Sequence, residues 1–196
     1  MKNEILLLAF LLMGVNKVNA QMVKTKETSR SETPNVSIGL TSGINNFAAL
    51  FGLSLNARLQ DKLHARAGVG IGGWGYKYAL GLKYDLKDDN GWSFALGYSH
   101  NSGLQGIVLN LETASGRKED LKMNLNGADN INLSAIRNWF ISRKTAFYLE
   151  MGYSVALKKN IWTNESAFAL SDRSVSVMNL LRPGGIILGL GFNIGI

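Results

Sequence analysis

The sequence predicts an all-β chain, closed into an antiparallel up-and-down barrel of eight strands that spans a membrane. Three observations carry that expectation. Large apolar residues alternate with small or polar ones over successive segments of about ten residues, the period of a β-strand. The face opposite the apolar one is rich in glycine and isolated charge, the reverse of what a soluble sandwich buries. Short charged turns also alternate with longer connections, as in hairpin-built barrels.

The chain begins Met1-Lys2-Asn3-Glu4, followed by an eleven-residue apolar run from Ile5 to Val15 and then Val18-Asn19-Ala20. A charged start, a short apolar segment and small residues before Gln21 read as a secretory signal, residues 1–20, cleaved after Ala20. That run is too short to cross a bilayer as a helix. Residues 21–34 are polar and without period, which reads as a disordered periplasmic leader. Residues 35–196 then form the barrel domain. Without cysteine there is no disulfide framework and no lipid-attachment thiol.

The elements follow in order. The first strand, about 35–43, sets Val36, Ile38 and Leu40 on one face. The second, about 48–59, turns Phe51, Leu53, Leu55, Ala57 and Leu59 outward and Gly52, Ser54, Asn56 and Arg58 inward. After a turn at 60–62, the third alternates Leu63, Ala65, Ala67, Val69 and Ile71 with His64, Arg66, Gly68, Gly70 and Gly72. The fourth, 75–86, is the clearest. Tyr76, Tyr78, Leu80, Leu82, Tyr84 and Leu86 share a face opposite Lys77, Ala79, Gly81, Lys83 and Asp85. Asn90-Gly91 is a hairpin signal because both residues tolerate positive φ. The fifth strand, 92–100, sets Trp92, Phe94, Leu96 and Tyr98 against Ser93, Ala95, Gly97 and Ser99. The sixth spans 130–141, where continuing the outward face of Ile131, Leu133 and Ala135 reaches Arg137. Either Arg137 snorkels toward headgroups or a bulge switches the face. In the seventh, Phe147, Leu149, Met151, Tyr153 and Val155 alternate with Tyr148, Glu150, Gly152 and Ser154. The last, 186–196, alternates Leu188, Leu190, Phe192 and Ile194 with Gly189, Gly191, Asn193 and Gly195.

Ile107, Leu109 and Leu111, with Leu121, Met123 and Leu125, flank the polar turn 114–120. The expected form is a hairpin prolonging the fifth and sixth strands above the membrane. The alternative is a further spanning pair, giving ten strands, but the second arm is shorter than a spanning strand needs.

Turn lengths set an orientation. The turns at 60–62, 87–91 and 142–144 are short and charged and go to the periplasm with both termini; 101–129 and 159–184 are then extracellular. An aromatic girdle is expected at each interface, Tyr84, Trp92, Trp139 and Phe147 at one and Phe51, Trp74, Tyr76 and Tyr98 at the other.

The inward charges are Arg58, Arg66, Lys77, Lys83, Asp85 and Glu150, with His64 beside them. Arg66, Lys83 and Glu150 sit at similar depth from their turns, so a salt bridge from Glu150 to Arg66 or Lys83 is expected to plug the lumen. A plugged lumen argues against a general pore. Catalytic machinery is sparse. His100 ends the fifth strand at the rim with Ser99 and Ser102 nearby, suggestive of acyl hydrolysis, yet no acid is obviously placed to orient it. No metal or cofactor ligand set has recognised spacing; Asp88-Asp89-Asn90 lacks the rest of a calcium loop, and the glycines at 68, 70, 72, 73 and 75 precede no helix.

Charge points to lipid. Removing Lys2, Lys17 and Glu4 from totals of 21 basic and 14 acidic residues leaves 19 against 13, a net of +6. That balance suits anionic headgroups and lipopolysaccharide phosphates. The charges never cluster with stacking aromatics, which excludes nucleic acid.

The signal segment, paired strands, charged turns and the final strand Leu188-Gly189-Leu190-Gly191-Phe192-Asn193-Ile194-Gly195-Ile196 resemble the small bacterial outer-membrane β-barrel family of OmpA/OmpX type. The resemblance covers residues 35–196 and implies a monomer in the outer membrane of a Gram-negative bacterium. The chain departs from it by ending in Ile196 rather than an aromatic residue. Either Phe192 substitutes or the assembly signal is looser. The expected role is structural or adhesin-like, through the loops 101–129 and 159–184, with a protein ligand as possible partner. Trp162, Phe168, Met178, Leu180 and Leu181 suit the second loop to adhesion or to packing on its neighbour. A lipid A or phospholipid-modifying enzyme and a narrow channel are the rival classes.

Overall fold

A computed structural model describes residues 34–87 and 90–196. The expected signal segment, all of the leader but Pro34, and the pair Asp88-Asp89 lie outside the described residues. Eight strands close into an antiparallel barrel. They are β1 (Val36–Ile44), β2 (Phe51–Gln60), β3 (Leu63–Gly72), β4 (Gly75–Asp85), β5 (Trp92–Asn101), β8 (Ala128–Phe140), β9 (Thr145–Ala156) and β11 (Gly185–Gly195). Each pairs with its neighbour in sequence, and β1 meets β11 through eight partners from Ser37↔Gly195 to Ile44↔Leu188, so no barrel edge is left unpaired.

Strand alternation sorts the residues by face. Outward positions carry exposed apolar side chains around the whole circumference, including Leu40 (62% exposed), Leu80 (66%), Leu133 (61%) and Ile186 (64%). Inward positions carry Ser54, Asn56, His64, Arg66, Lys77, Asp85, Asn132, Ser134, Tyr148 and Glu150, all buried. Glycine on the inner face makes room for these larger groups. A Cβ on Gly191 would stand 2.7 Å from the Tyr148 ring and 2.4 Å from the Leu40 carbonyl oxygen, so only glycine fits there.

Arg137 needs no bulge. The pairing Trp92↔Arg137 and Arg137↔Leu149 is regular, and its guanidinium lies 5.8 Å from the Trp92 ring and 5.7 Å from the Trp139 ring. Cation–π contact lets the charge stay on the outward face at the barrel end. Trp139 also stacks on Phe147, which touches Phe192.

The end of the barrel opposite the termini departs from plain alternation at two places. The second strand begins at Phe51 rather than at the expected 48, and Asn46, Phe47 and Ala48 are buried in the barrel mouth. Asn45 (φ 49°) and Ala49 (φ 70°) take left-handed backbone to turn the segment inward. Trp74 is the one girdle residue on the wrong side. It is 7% exposed, packs with Leu121, Met123 and Met178, and donates its indole N–H to the Asn126 carbonyl, because the two-residue turn at 73–74 folds it under the cap.

That cap is a second layer at the end opposite the termini. β6 (Leu104–Glu112), β7 (Lys118–Leu125) and β10 (Trp162–Asn164) form a separate three-stranded sheet, with α1 (Asp172–Leu181) packed beside it. The hairpin of β6 and β7 adds no barrel strand, and it is not a continuation of β5 and β8 either. Barrel pairing stops at Asn101↔Ala128, where Gly103 and Gly106 (φ 77° and 65°) turn the chain away. Its apolar face, Leu121, Met123 and Leu125, is buried in one cluster with Ile161 and Met178 from the other loop and Trp74 from the barrel. The two loops therefore pack on each other. The helix, absent from the sequence expectation, starts at Ser171, whose hydroxyl accepts from the Ser174 amide.

Candidate functional site: lumen, mouth and rim

The inward charges separate into three levels. Nearest the tight turns, Asp85 binds His64 Nε2 at 2.9 Å and Lys83 Nζ at 3.1 Å, and Ser93 donates its hydroxyl to the same carboxylate at 2.5 Å. Arg58 shares this inward parity and is half-buried.

One level up, Arg66 meets Glu150 through both terminal nitrogens, at 3.3 and 3.4 Å, across the barrel from β3 to β9. Ser134 donates to the same carboxylate at 2.6 Å. Lys83, the other candidate partner for Glu150, is instead two residues from Asp85 on the same strand and binds there. The Phe47 ring lies 4.2 Å from the Arg66 guanidinium, closing the level from above. Among Phe47, Arg66, Gly97, Ser134, Glu150 and Ile187 there is no space for a water-sized sphere. Asn132 donates to Ser99 at 2.9 Å in the same interior. Ser99 thus faces the lumen and is no rim nucleophile.

At the mouth, Lys77 donates to the carbonyl oxygens of Asn46 (2.7 Å) and Asn45 (3.3 Å). Asn45 in turn donates to the carbonyls of Gly184 and Ile186, and Asn46 donates to the Thr41 hydroxyl. These bonds pin the inward-folded segment. Sequence alone missed it because a polar pair between two apolar strands reads as ordinary turn chemistry.

On the outer wall at the cap end, His100 Nδ1 lies 2.7 Å from Asp129 Oδ1. Tyr98 donates to the same oxygen at 2.6 Å, and Lys158 reaches the other at 3.5 Å. Asp129 is the acid the sequence did not place, and only the β5–β8 register, His100↔Asp129, reveals it. Ser102 is held elsewhere. Its hydroxyl accepts from the Tyr76 amide at 3.0 Å and donates to the Gly103 carbonyl at 3.1 Å. Beside this cluster a groove of about 650 Å³ runs between outward Tyr153, Val155 and Ile186 and the cations Lys158, Lys159 and Arg182. No group of three or more His, Cys, Asp or Glu able to hold a metal occurs among the described residues.

No protein-family model matches the chain. No curated protein matches it. Among solved structures it is similar to the N-terminal β-barrel domain of Pseudomonas aeruginosa OprF, at a TM-score of 0.47 and 16% identity, over 83% of this chain and 97% of that one.

Proposed function

We propose that this chain is an integral outer-membrane β-barrel with a closed lumen, serving as a rigid membrane platform for its folded cap. The observation that carries this is the unbroken belt of exposed leucine, isoleucine, valine and aromatic side chains around a barrel whose interior is polar. In water such a belt far exceeds the few hundred Å² of contiguous apolar surface a soluble monomer tolerates; in hydrocarbon it costs nothing. Both termini and the three tight turns face the periplasm, and the cap faces outward. The packed Arg66–Glu150 level supports a non-conducting role. Lys158, Lys159 and Arg182 above the apolar groove suit anionic headgroups, lipopolysaccharide included. The cap is the surface on which an extracellular protein ligand would dock.

Single cysteines test this cleanly, because the chain has none of its own. Arg117→Cys in the cap should react with a membrane-impermeant maleimide on intact cells. Lys144→Cys in a tight turn should react only after the outer membrane is opened. Purified protein that stays monodisperse without detergent would sink the proposal. Discrete openings in planar bilayers would instead establish a channel.

A second reading, a lipid-modifying enzyme, is favoured by one observation: an outward His–Asp pair at the outer rim. It lacks a free nucleophile beside it, since Ser102 is bound to backbone. Altered lipid A acylation on replacing His100 with alanine would raise this reading above the first.

A further inference from the structure

Lys77, at the mouth, belongs to neither the Arg66–Glu150 nor the Asp85 level. Lys77 is 4% exposed, yet among the described residues no carboxylate lies within 4.0 Å of its ammonium. Two carbonyls occupy two of its three N–H donors. A buried cation without a counter-ion is costly, and Glu150, the acid above the turn level, is already engaged by Arg66.

The same lysine lines a cavity of about 320 Å³ between the barrel mouth and the cap. Lys77 is its single charged lining residue among those described. Asn45 and Asn101 add two neutral polar groups, and the rest of the wall is mainly apolar, with Ile44, Leu50, Trp74, Ile107, Leu109 and Met178. That combination, a mainly apolar chamber of at least about 300 Å³ with one fixed charge and few other polar groups, is how small-molecule sites are built. At roughly 30 Å³ for each water displaced, it accommodates about ten non-hydrogen atoms. The ammonium is also held in place beforehand. The carbonyls that grip it belong to a segment bracketed by left-handed Asn45 and Ala49 and tied to the start of β11. Strained non-glycine backbone of this sort persists where a site requires it.

We propose that this chamber binds a monocarboxylate with a medium-length apolar chain, of the fatty-acid class, its carboxylate on Lys77 and its chain against Trp74 and the cap. The carboxylate supplies the missing counter-charge and takes the third N–H of the ammonium. The chain fills space that neither the barrel nor the cap occupies. This inference rests on the mouth and cap alone and is independent of the role proposed for the cap surface.

Trp74 provides the reporter. With Trp92, Trp139 and Trp162 replaced by phenylalanine, Trp74 is the sole tryptophan of the full mature chain. Held in a non-ionic detergent, that protein is titrated with a bromine-terminated heptanoate, whose roughly ten non-hydrogen atoms match the chamber and whose bromine quenches indole on contact. Saturable quenching at a concentration at least tenfold below that of the matching bromo-alcohol is expected. Lys77→Met should weaken the acid at least tenfold and leave the alcohol unchanged, while Lys77→Arg keeps the preference. Because Lys77 also pins the mouth segment, Leu109→Phe is the companion variant. It fills the chamber, leaves the ammonium in place, and should weaken the acid comparably while retaining the parent's circular dichroism. Equal quenching by acid and alcohol, or by the parent and Leu109→Phe, overturns the proposal. So does equally strong quenching by a bromine-labelled phosphatidylcholine, which would make the occupant a membrane lipid tail rather than a free acid.

Discussion

Replacing Glu150 with glutamine removes one charge from the tightest level of the lumen and almost nothing else. Glutamine keeps the shape and can still accept from Ser134, but Arg66 is left charged, buried and without its carboxylate. At the 3.3 Å separation and an effective dielectric of about 20, the lost attraction is roughly 5 kcal/mol. Measured losses on breaking buried pairs run about 3–5 kcal/mol, and the retained Ser134 bond puts the expectation near 3 kcal/mol. The double variant Arg66→Met with Glu150→Leu removes both charges. It should lie within about 1 kcal/mol of the parent or above it, because neither apolar side chain has to be stripped of water at the same expense. Urea unfolding in lipid vesicles, followed by tryptophan fluorescence and extrapolated linearly, reads both numbers. An unchanged m-value is needed for the comparison. If Glu150→Gln unfolds within about 0.5 kcal/mol of the parent, or if the double variant is worse than the two single changes together, the pair does not hold the lumen shut.

Four further outcomes are expected. Gly191→Ala should destabilise the barrel by about 1–3 kcal/mol in the same assay, because its Cβ would collide with the Leu40 carbonyl and Tyr148. Gly73→Ala, with nothing within 4 Å of the new atom, should stay within about 0.5 kcal/mol. Met123→Ala empties a fully buried site in the cap and should cost about 2–5 kcal/mol there. Limited proteolysis should cut between 104 and 182 faster while the barrel's urea midpoint stays put. The fourth outcome concerns acid. Asn124 and Lys122 hold the Glu165 carboxyl below its ordinary range. A depressed folded pKa contributes stability that is complete above about 4.3, the unfolded value, and is lost as pH falls through the folded one. Protection factors of the amides at 163–166, corrected for the intrinsic pH dependence of exchange, should therefore fall below about pH 4 and stay flat between about pH 5 and 7, and Glu165→Gln should abolish the acid step.

The barrel was legible because its solvent pattern is written residue by residue. A strand has period two, so Tyr76 to Leu86 declare their face without reference to any other segment. The same local logic sorted Arg66, Lys83, Asp85 and Glu150 into the lumen. Which of them would touch was less accessible. Glu150 could have met Arg66 or Lys83; the choice depended on Lys83 having Asp85 two residues away, and on Phe47 descending onto the guanidinium from a segment that reads as a turn.

The cap, the mouth and the rim lay beyond that reach. Trp74 reads as a girdle residue by parity, but the turn that carries it is covered by a sheet assembled from two loops some 40 residues apart in sequence, 123 against 164. Asp129 became the partner of His100 only through the β5–β8 register. Local alternation thus determined the architecture and the face of each strand residue, since exposure to lipid or lumen acts on one side chain at a time. Tertiary structure decided the pairings, the inward-folded segment and the chamber beside Lys77, since contacts between distant segments exist only once loop closure has brought them together.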